Sequence, residues 1–165
     1  MIPSVPSPQN DTTGSPQNGT APCEGDWREH AGVCYLLITS PRSFDSAESF
    51  CRESSPGLSA SLAAVTDYAG LASVLPLENI NFFWVGLKST PEEDGKLYWR
   101  THPPVEVTAT YWRSLQYADT DDERFGPEND CVMVNGLRFG VLYTADEWAD
   151  YVCHFEFRYL CQLRL

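Results

Sequence analysis

The stretch DCVMVNGLRFGVLYTADEWADYVCHFEFRYLC, residues Asp130–Cys161, holds half of the chain's six cysteines: Cys131, Cys153 and Cys161. It also holds a turn signal, Asn135-Gly136, between two apolar runs. Both residues tolerate the positive φ of a type I′ turn, so a hairpin joining Cys131–Val134 to Leu137–Tyr143 is predicted. Phe157, Tyr159, Cys161 and Leu163 alternate as one face of a closing strand. The triplet Trp148-Ala149-Asp150 sits between. The lead-in from Trp112 to Asn129 has little periodicity and sets Asp119, Asp121, Asp122, Glu123 and Glu128 against Arg113 and Arg124. A long segment without its own pattern is usually functional or disordered.

Upstream of the lead-in, Phe82-Phe83-Trp84-Val85-Gly86-Leu87 is a nearly continuous apolar run that suits a buried strand. Glu92-Glu93-Asp94-Gly95 reads as a polar turn before a short strand over 96–100. Two helices are predicted earlier. The first has Ser43 as N-cap, Asp45 in its first turn and Phe44, Ala47, Phe50 and Cys51 on one face, with Pro56-Gly57 at its end. The second starts near Thr66 or Asp67, places Tyr68, Leu71, Ala72 and Leu75 at helical spacing, and stops at Pro76. Gly32–Ile38 reads as a strand, and Cys23 and Cys34 are near enough to close a small hairpin loop.

Residues 1–22 differ in composition. Five prolines alternate with Ser, Thr, Gln, Asn and Gly, and no aromatic, Lys or Arg precedes Trp27. Such a segment cannot bury enough apolar surface to offset its ordering entropy, so a flexible stalk is expected, followed by one domain over 23–165. Asn10 and Asn18 each open an Asn-x-Thr glycosylation triplet.

The 165 residues carry a formal charge of −12, 42% hydrophobic residues and 13% aromatics, which suits one ordinary core. The acidic balance disfavours nucleic acid, whose phosphates it would repel. It leaves cations, basic proteins and neutral glycans as partners. An even set of cysteines with no Cys-x-x-Cys pair points to three disulfides in an oxidising compartment, among fifteen pairings. No apolar run is long enough for a membrane span, so no membrane insertion is expected. No secretory leader stands after Met1, so the chain is expected to be the secreted or extracellular part of a larger or processed protein. His30, His102 and His154 have no zinc spacing and are scattered, with His30 and His102 beside turn residues and expected at the surface. No nucleophile elbow, phosphate loop or catalytic Cys-His pair is present, so no enzyme is expected.

Taken in order, the pieces resemble a C-type lectin-like domain in its long, six-cysteine form. They are Cys23, Trp27 and Cys34; Cys51 on the first helix; Trp84-Val85-Gly86-Leu87; Trp99 and Trp112; Asp130-Cys131-Val132; Trp148-Ala149-Asp150-Tyr151-Val152-Cys153; and Tyr159-Leu160-Cys161. The resemblance covers the chain from Cys23 onward. It implies an α+β fold, two helices packed on antiparallel strands with a long loop region at one end. It also implies the pairs Cys23–Cys34, Cys51–Cys161 and Cys131–Cys153. The second would close a loop of over a hundred residues, worth about 4–5 kcal/mol by chain entropy. Trp84 and Leu87 become core residues.

Sugar-binding members hold calcium at the long loop through a Glu-Pro-Asn or Gln-Pro-Asp triplet, a later Glu and an Asn-Asp pair after a Trp. Calcium takes six to eight oxygen ligands. Here the triplet position falls on Gln116-Tyr117-Ala118, Asn129 stands for the later Glu, and Ala149 replaces the Asn while Asp150 is kept. A methyl group cannot coordinate an ion, so no cofactor is expected. The loop is longer than the compact family pattern, and calcium stays open as an alternative if its carboxylates supply oxygens in another register. The candidate ligand-binding residues are therefore Asp119, Asp121, Asp122, Glu123, Glu128, Asn129 and Asp150. If any of these holds a metal, it is Asn129 with Asp150. Tyr111, Tyr117 and Phe125 are candidate contacts by composition. The expected function is an extracellular recognition module that binds a glycan or protein without the usual calcium site. A calcium-dependent lectin is the runner-up and a matrix-interaction module the third reading. The residues set no oligomeric state.

Overall fold

The computed structural model describes residues 23–55, 59–112, 130–136 and 146–165. In chain order these form β1 (Arg28–His30), β2 (Val33–Arg42), α1 (Phe44–Glu53), β3 (Ala60–Leu62), α2 (Tyr68–Val74), a 3-10 turn (Leu77–Asn79), β4 (Phe82–Lys88), β5 (Tyr98–Trp99), β6 (Val105–Glu106), β7 (Cys131–Asn135), β8 (Trp148–Tyr151) and β9 (Phe157–Arg164). This is the expected α+β class. Residues 1–22, with Asn10 and Asn18, lie outside the described residues, as do Pro56-Gly57.

Strand β9 is the axis. The main sheet runs β1-β2-β9-β4-β7-β8. One edge of β9 pairs antiparallel with β2. The other edge is shared: β4 runs parallel beside Arg158 and Tyr159, and β3 runs antiparallel beside Cys161–Leu163. Antiparallel pairing is thus the rule, with β4–β9 as a parallel exception. Residues Tyr159 to Leu163 are all buried. The predicted alternation is real, but the intervening Leu160 and Gln162 are covered too, because the sheet has layers on both faces.

Those layers follow the strand period of two. Trp84, Met133, Ala149, Tyr159 and Cys161 face one cluster, which Phe44, Ala47 and Cys51 of α1 complete. Phe83, Val85, Val132, Val134, Trp148 and Leu160 face the other, with Leu71 of α2 and Trp99. A strand buried on both faces reads as a continuous apolar run, which explains residues 82–87. Gly86 in that run admits no side chain: a Cβ would lie 2.6 Å from the Leu62 carbonyl oxygen. Its N–H donates to Ala63 O at 2.9 Å.

Helix α1 starts where its sequence says, with Ser43 at the N-cap position but without a side-chain cap bond; the Phe44 N–H donates to Cys153 O at 3.0 Å. The inward face holds one residue not foreseen, Glu48, which is 6% exposed. Arg100 donates to it through Nε at 2.8 Å and Nη2 at 3.2 Å, and Arg52 adds a contact at 3.1 Å. Helix α2 is capped by Asp67, whose carboxylate accepts from Gly70 N at 3.0 Å. His30, expected at the surface, is instead half-buried. It bonds the same carboxylate at 2.9 Å and so ties α2 to the β1–β2 hairpin.

The predicted hairpin at Asn135-Gly136 is not formed. Strand β7 pairs instead with β8, Val134 opposite Trp148 and Cys131 opposite Tyr151. The Asn135 N–H donates to Glu147 O at 3.0 Å, and Asn135 O accepts from Asp146 N at 2.9 Å. Gly136 is needed for space rather than for positive φ. A Cβ there would meet the carbonyl oxygens of Leu77 and Ile80, the latter at 2.6 Å. A two-residue turn with positive φ at both positions does occur, at Ala31-Gly32 between β1 and β2. The strand expected over 137–143 lies outside the described residues.

The disulfides are Cys23–Cys34, Cys51–Cys161 and Cys131–Cys153. The second binds α1 to β9 across 110 residues of sequence.

Candidate functional site

The ends of β4, β7 and β8 meet at one edge of the sheet. The register sets Lys88 opposite Cys131 and Val132 opposite Asp150. Residues Ser89 and Thr90 leave β4 between two carboxylates. Ser89 Oγ donates to Asp150 Oδ2 at 3.3 Å, and Thr90 Oγ1 donates to Asp130 Oδ2 at 3.4 Å. The Ser89 N–H donates to Asp130 O at 2.7 Å, fixing the strand end. Lys88 Nζ lies 3.8 Å from Asp130 Oδ1 and over the Phe44 ring. Asp130 thus has a cation nearby, and Asp150 accepts from the Ser89 hydroxyl.

Strand alternation separates the two halves of the Ala149-Asp150 pair. Asp150 points to the same side as Trp148. Ala149 points to the opposite side and is 4% exposed, in the cluster with Met133 and Trp84. Position 149 therefore faces the α1 layer, away from the Ser89–Asp150 contact.

Asp130 Oδ1 also lies 3.3 Å from Cys153 Sγ, within a group of three with Cys131. Both sulfurs are spent on a disulfide. They carry neither a proton to donate nor a thiolate charge, so this group is no metal site. Calcium selects carboxylate and carbonyl oxygens. Among the described residues Asp150 joins no group of three His, Cys, Asp or Glu ligand atoms. Asp119, Asp121, Asp122, Glu123, Glu128 and Asn129 lie outside the described residues, as do Tyr117 and Phe125. Of the expected ligand-binding residues Asp150 alone is described, and of the candidate aromatic contacts Tyr111 alone. Ser89, Thr90, Lys88 and Asp130 were not singled out as site residues. The signal for them is the β4–β7 register, which pairs residues more than forty positions apart.

The start of the acidic lead-in is held by aromatic rings. Trp148 N–H donates to Tyr111 O at 2.7 Å, and Trp112 bridges to Trp148. The Trp148 ring meets those of Trp99, Tyr111 and Trp112 edge-on, with centroids 5.3, 5.7 and 5.4 Å away. Tyr111 keeps 44% of its surface exposed. His102 and His154 are exposed, and His154 packs beside Phe155.

The sequence profile described as the Lectin C-type domain matches residues 40–163. C-type lectin domain family 10 member A of Mus musculus is 26% identical over 152 residues, 87% of this chain and 42% of that protein. A C-type lectin mannose-binding isoform of Oxyuranus scutellatus is 26% identical over 145 residues, 86% of this chain and 84% of that one. The chain thus spans less than half of the first relative's length and most of the second's. The solved structure of the C-type lectin CEL-I from Cucumaria echinata superposes with a TM-score of 0.63 at 18% identity, over 86% of this chain and 96% of that one. No helix among the described residues is long and apolar enough to cross a membrane.

Proposed function

The chain belongs to the C-type lectin family, and from that premise we propose that it is an extracellular recognition module that binds a glycan or a protein without the usual calcium site. One observation carries this reading. Asp150, the retained member of the Asn-Asp pair, is bonded by Ser89, and its neighbour Ala149 is buried in the layer against α1. A calcium cage needs several convergent oxygens; among the described residues this edge brings together a serine-bound carboxylate and another beside a lysine. The family is a non-enzymatic one, which supports a binding role. The half-exposed Tyr111 supports the loop side of the sheet as the contact surface. Residues 1–22 are read as a stalk bearing sugars at Asn10 and Asn18, and the domain as 23–165.

A calcium-dependent lectin is the competing reading. The printed name of the Oxyuranus scutellatus relative, a mannose-binding isoform, favours it, as do the acidic residues 119–128.

Thermal unfolding with millimolar calcium and with a chelator separates the two. A ligand at a hundred times its Kd stabilises by about 2.7 kcal/mol, which is several degrees for a domain of this size. The expected result is coincident melting curves. A rise of several degrees with calcium sides with the competing reading. A glycan array run under both conditions then separates glycan from protein ligands.

A further inference from the structure

A cavity of about 180 Å³ opens between the first turn of α2 and the residues that enter β8. It lies at the opposite end of β8 from Asp150, four residues or roughly 13 Å of extended chain away. Tyr68, Tyr111 and Trp148 give it aromatic walls, and Asp67 and Asp146 give it carboxylates.

The two carboxylates are not equivalent. Asp67 is satisfied by Gly70 N–H and His30. Asp146 is half-buried, and among the described residues its carboxylate meets no donor and no cation. Its backbone sits at φ 72°, a left-handed conformation that Asp adopts more readily than most non-glycine residues. The Asp146 N–H bond to Asn135 O at 2.9 Å holds it there. Burial, and then the charge of Glu147, raise its carboxyl above the usual range. A desolvated carboxylate is stabilised by an opposite charge. The rings beside it are suited to one. The Tyr68 hydroxyl donates to Gly136 O at 2.6 Å, so its ring is fixed, and Tyr111 stands edge-on to Trp148 with its outer side in solvent. Aromatic faces attract ammonium groups.

We propose that this cavity is a binding site for a primary ammonium group on a short aliphatic stem, with Asp146 as counter-ion and Tyr68 and Tyr111 against the stem. The volume falls below the ~300–1,000 Å³ of drug-sized clefts. It suits a four-carbon amine or one lysine side chain rather than a sugar chain. The net charge of −12 draws cations toward the protein. The site does not depend on how the Asp130–Asp150 edge is used.

The test is an amide NMR titration of the whole chain at constant ionic strength. The probes are n-butylammonium, a blocked Gly-Lys-Gly peptide and the same peptide with norleucine in place of lysine. Saturable shifts at residues 66–69, 111 and 146–148 are expected with the amines and not with norleucine. Asp146→Asn should weaken binding at least about tenfold, a loss of 1.4 kcal/mol, and Asn tolerates the same φ. Tyr111→Leu, at an exposed position, should weaken it several-fold and decides the matter if Asp146→Asn does not fold. Saturation by the lysine peptide assigns the site to a protein ligand; saturation by butylammonium alone assigns it to a free amine. Equal shifts with norleucine, undiminished affinity in the folded variants, or no shift at tens of millimolar amine overturns the proposal.

Discussion

Gly136 and Ala149 are small for reasons that no local pattern states. Gly136 lies against the Leu77 and Ile80 carbonyls, and Ala149 lies in the layer beneath α1. Gly136→Ala should therefore cost about 1–3 kcal/mol, the usual range for overpacking. Denaturant unfolding is the measurement. A midpoint that stays put or rises would mean that the 3-10 turn yields to the methyl. Asn135-Gly136 was legible as a special position, but its role was misread. The residue pair that suits a type I′ turn also suits a strand end that must pass close to another backbone. Asp150 was legible as a site candidate from its triplet. Its partner Ser89 was not, because 61 residues separate them.

At the scale of elements, α2 shows how a local cap becomes a tertiary joint. Gly70 N–H first, and His30 second, hold the Asp67 carboxyl below the usual carboxylate range. A depressed carboxylate contributes stability that is present above its unfolded pKa and lost as pH falls through the folded one. Asp67→Ala should thus melt earlier than the parent at neutral pH. The gap should close below about pH 4, near the unperturbed carboxylate value. A gap that widens in acid would refute this linkage. The disulfides rank by loop length. Chain entropy assigns about 4.8 kcal/mol to a bridge across 110 residues and about 2.8 kcal/mol to one across 11. Cys51→Ala/Cys161→Ala should therefore destabilise more than Cys23→Ala/Cys34→Ala, by about 2 kcal/mol before packing losses. Equal midpoints for the two double variants in urea would contradict the ranking. Both helices were legible from their apolar spacing. Glu48 was not, since Arg100, which makes its burial tolerable, lies 52 residues away.

For the whole molecule, charge and layering matter most. A net charge of −12 repels itself in the compact state, and added salt screens exposed charges over about 8 Å at physiological strength. The melting temperature should rise between low salt and physiological sodium chloride. A fall would mean that attractive pairs such as Lys96–Glu106 outweigh the repulsion. The two-faced sheet was half legible. Residues 82–87 announced a buried strand, whereas its covering on both faces, by α1 on one and α2 on the other, came from contacts between distant segments.

The residues by themselves determined the class, the family resemblance, both helices and the core strand. Each of these rests on spacing within a few residues or on the order of motifs along the chain. Tertiary structure decided the rest: the β7–β8 pairing in place of a tight hairpin, the fork at β9, the burial of Glu48 and the placement of Asp150 and Ala149 on opposite faces of the sheet. It also set Asp146 beside Tyr68 and Tyr111. These depend on strand register and close backbone approach, and a one-residue slip in register would turn every side chain to the other face.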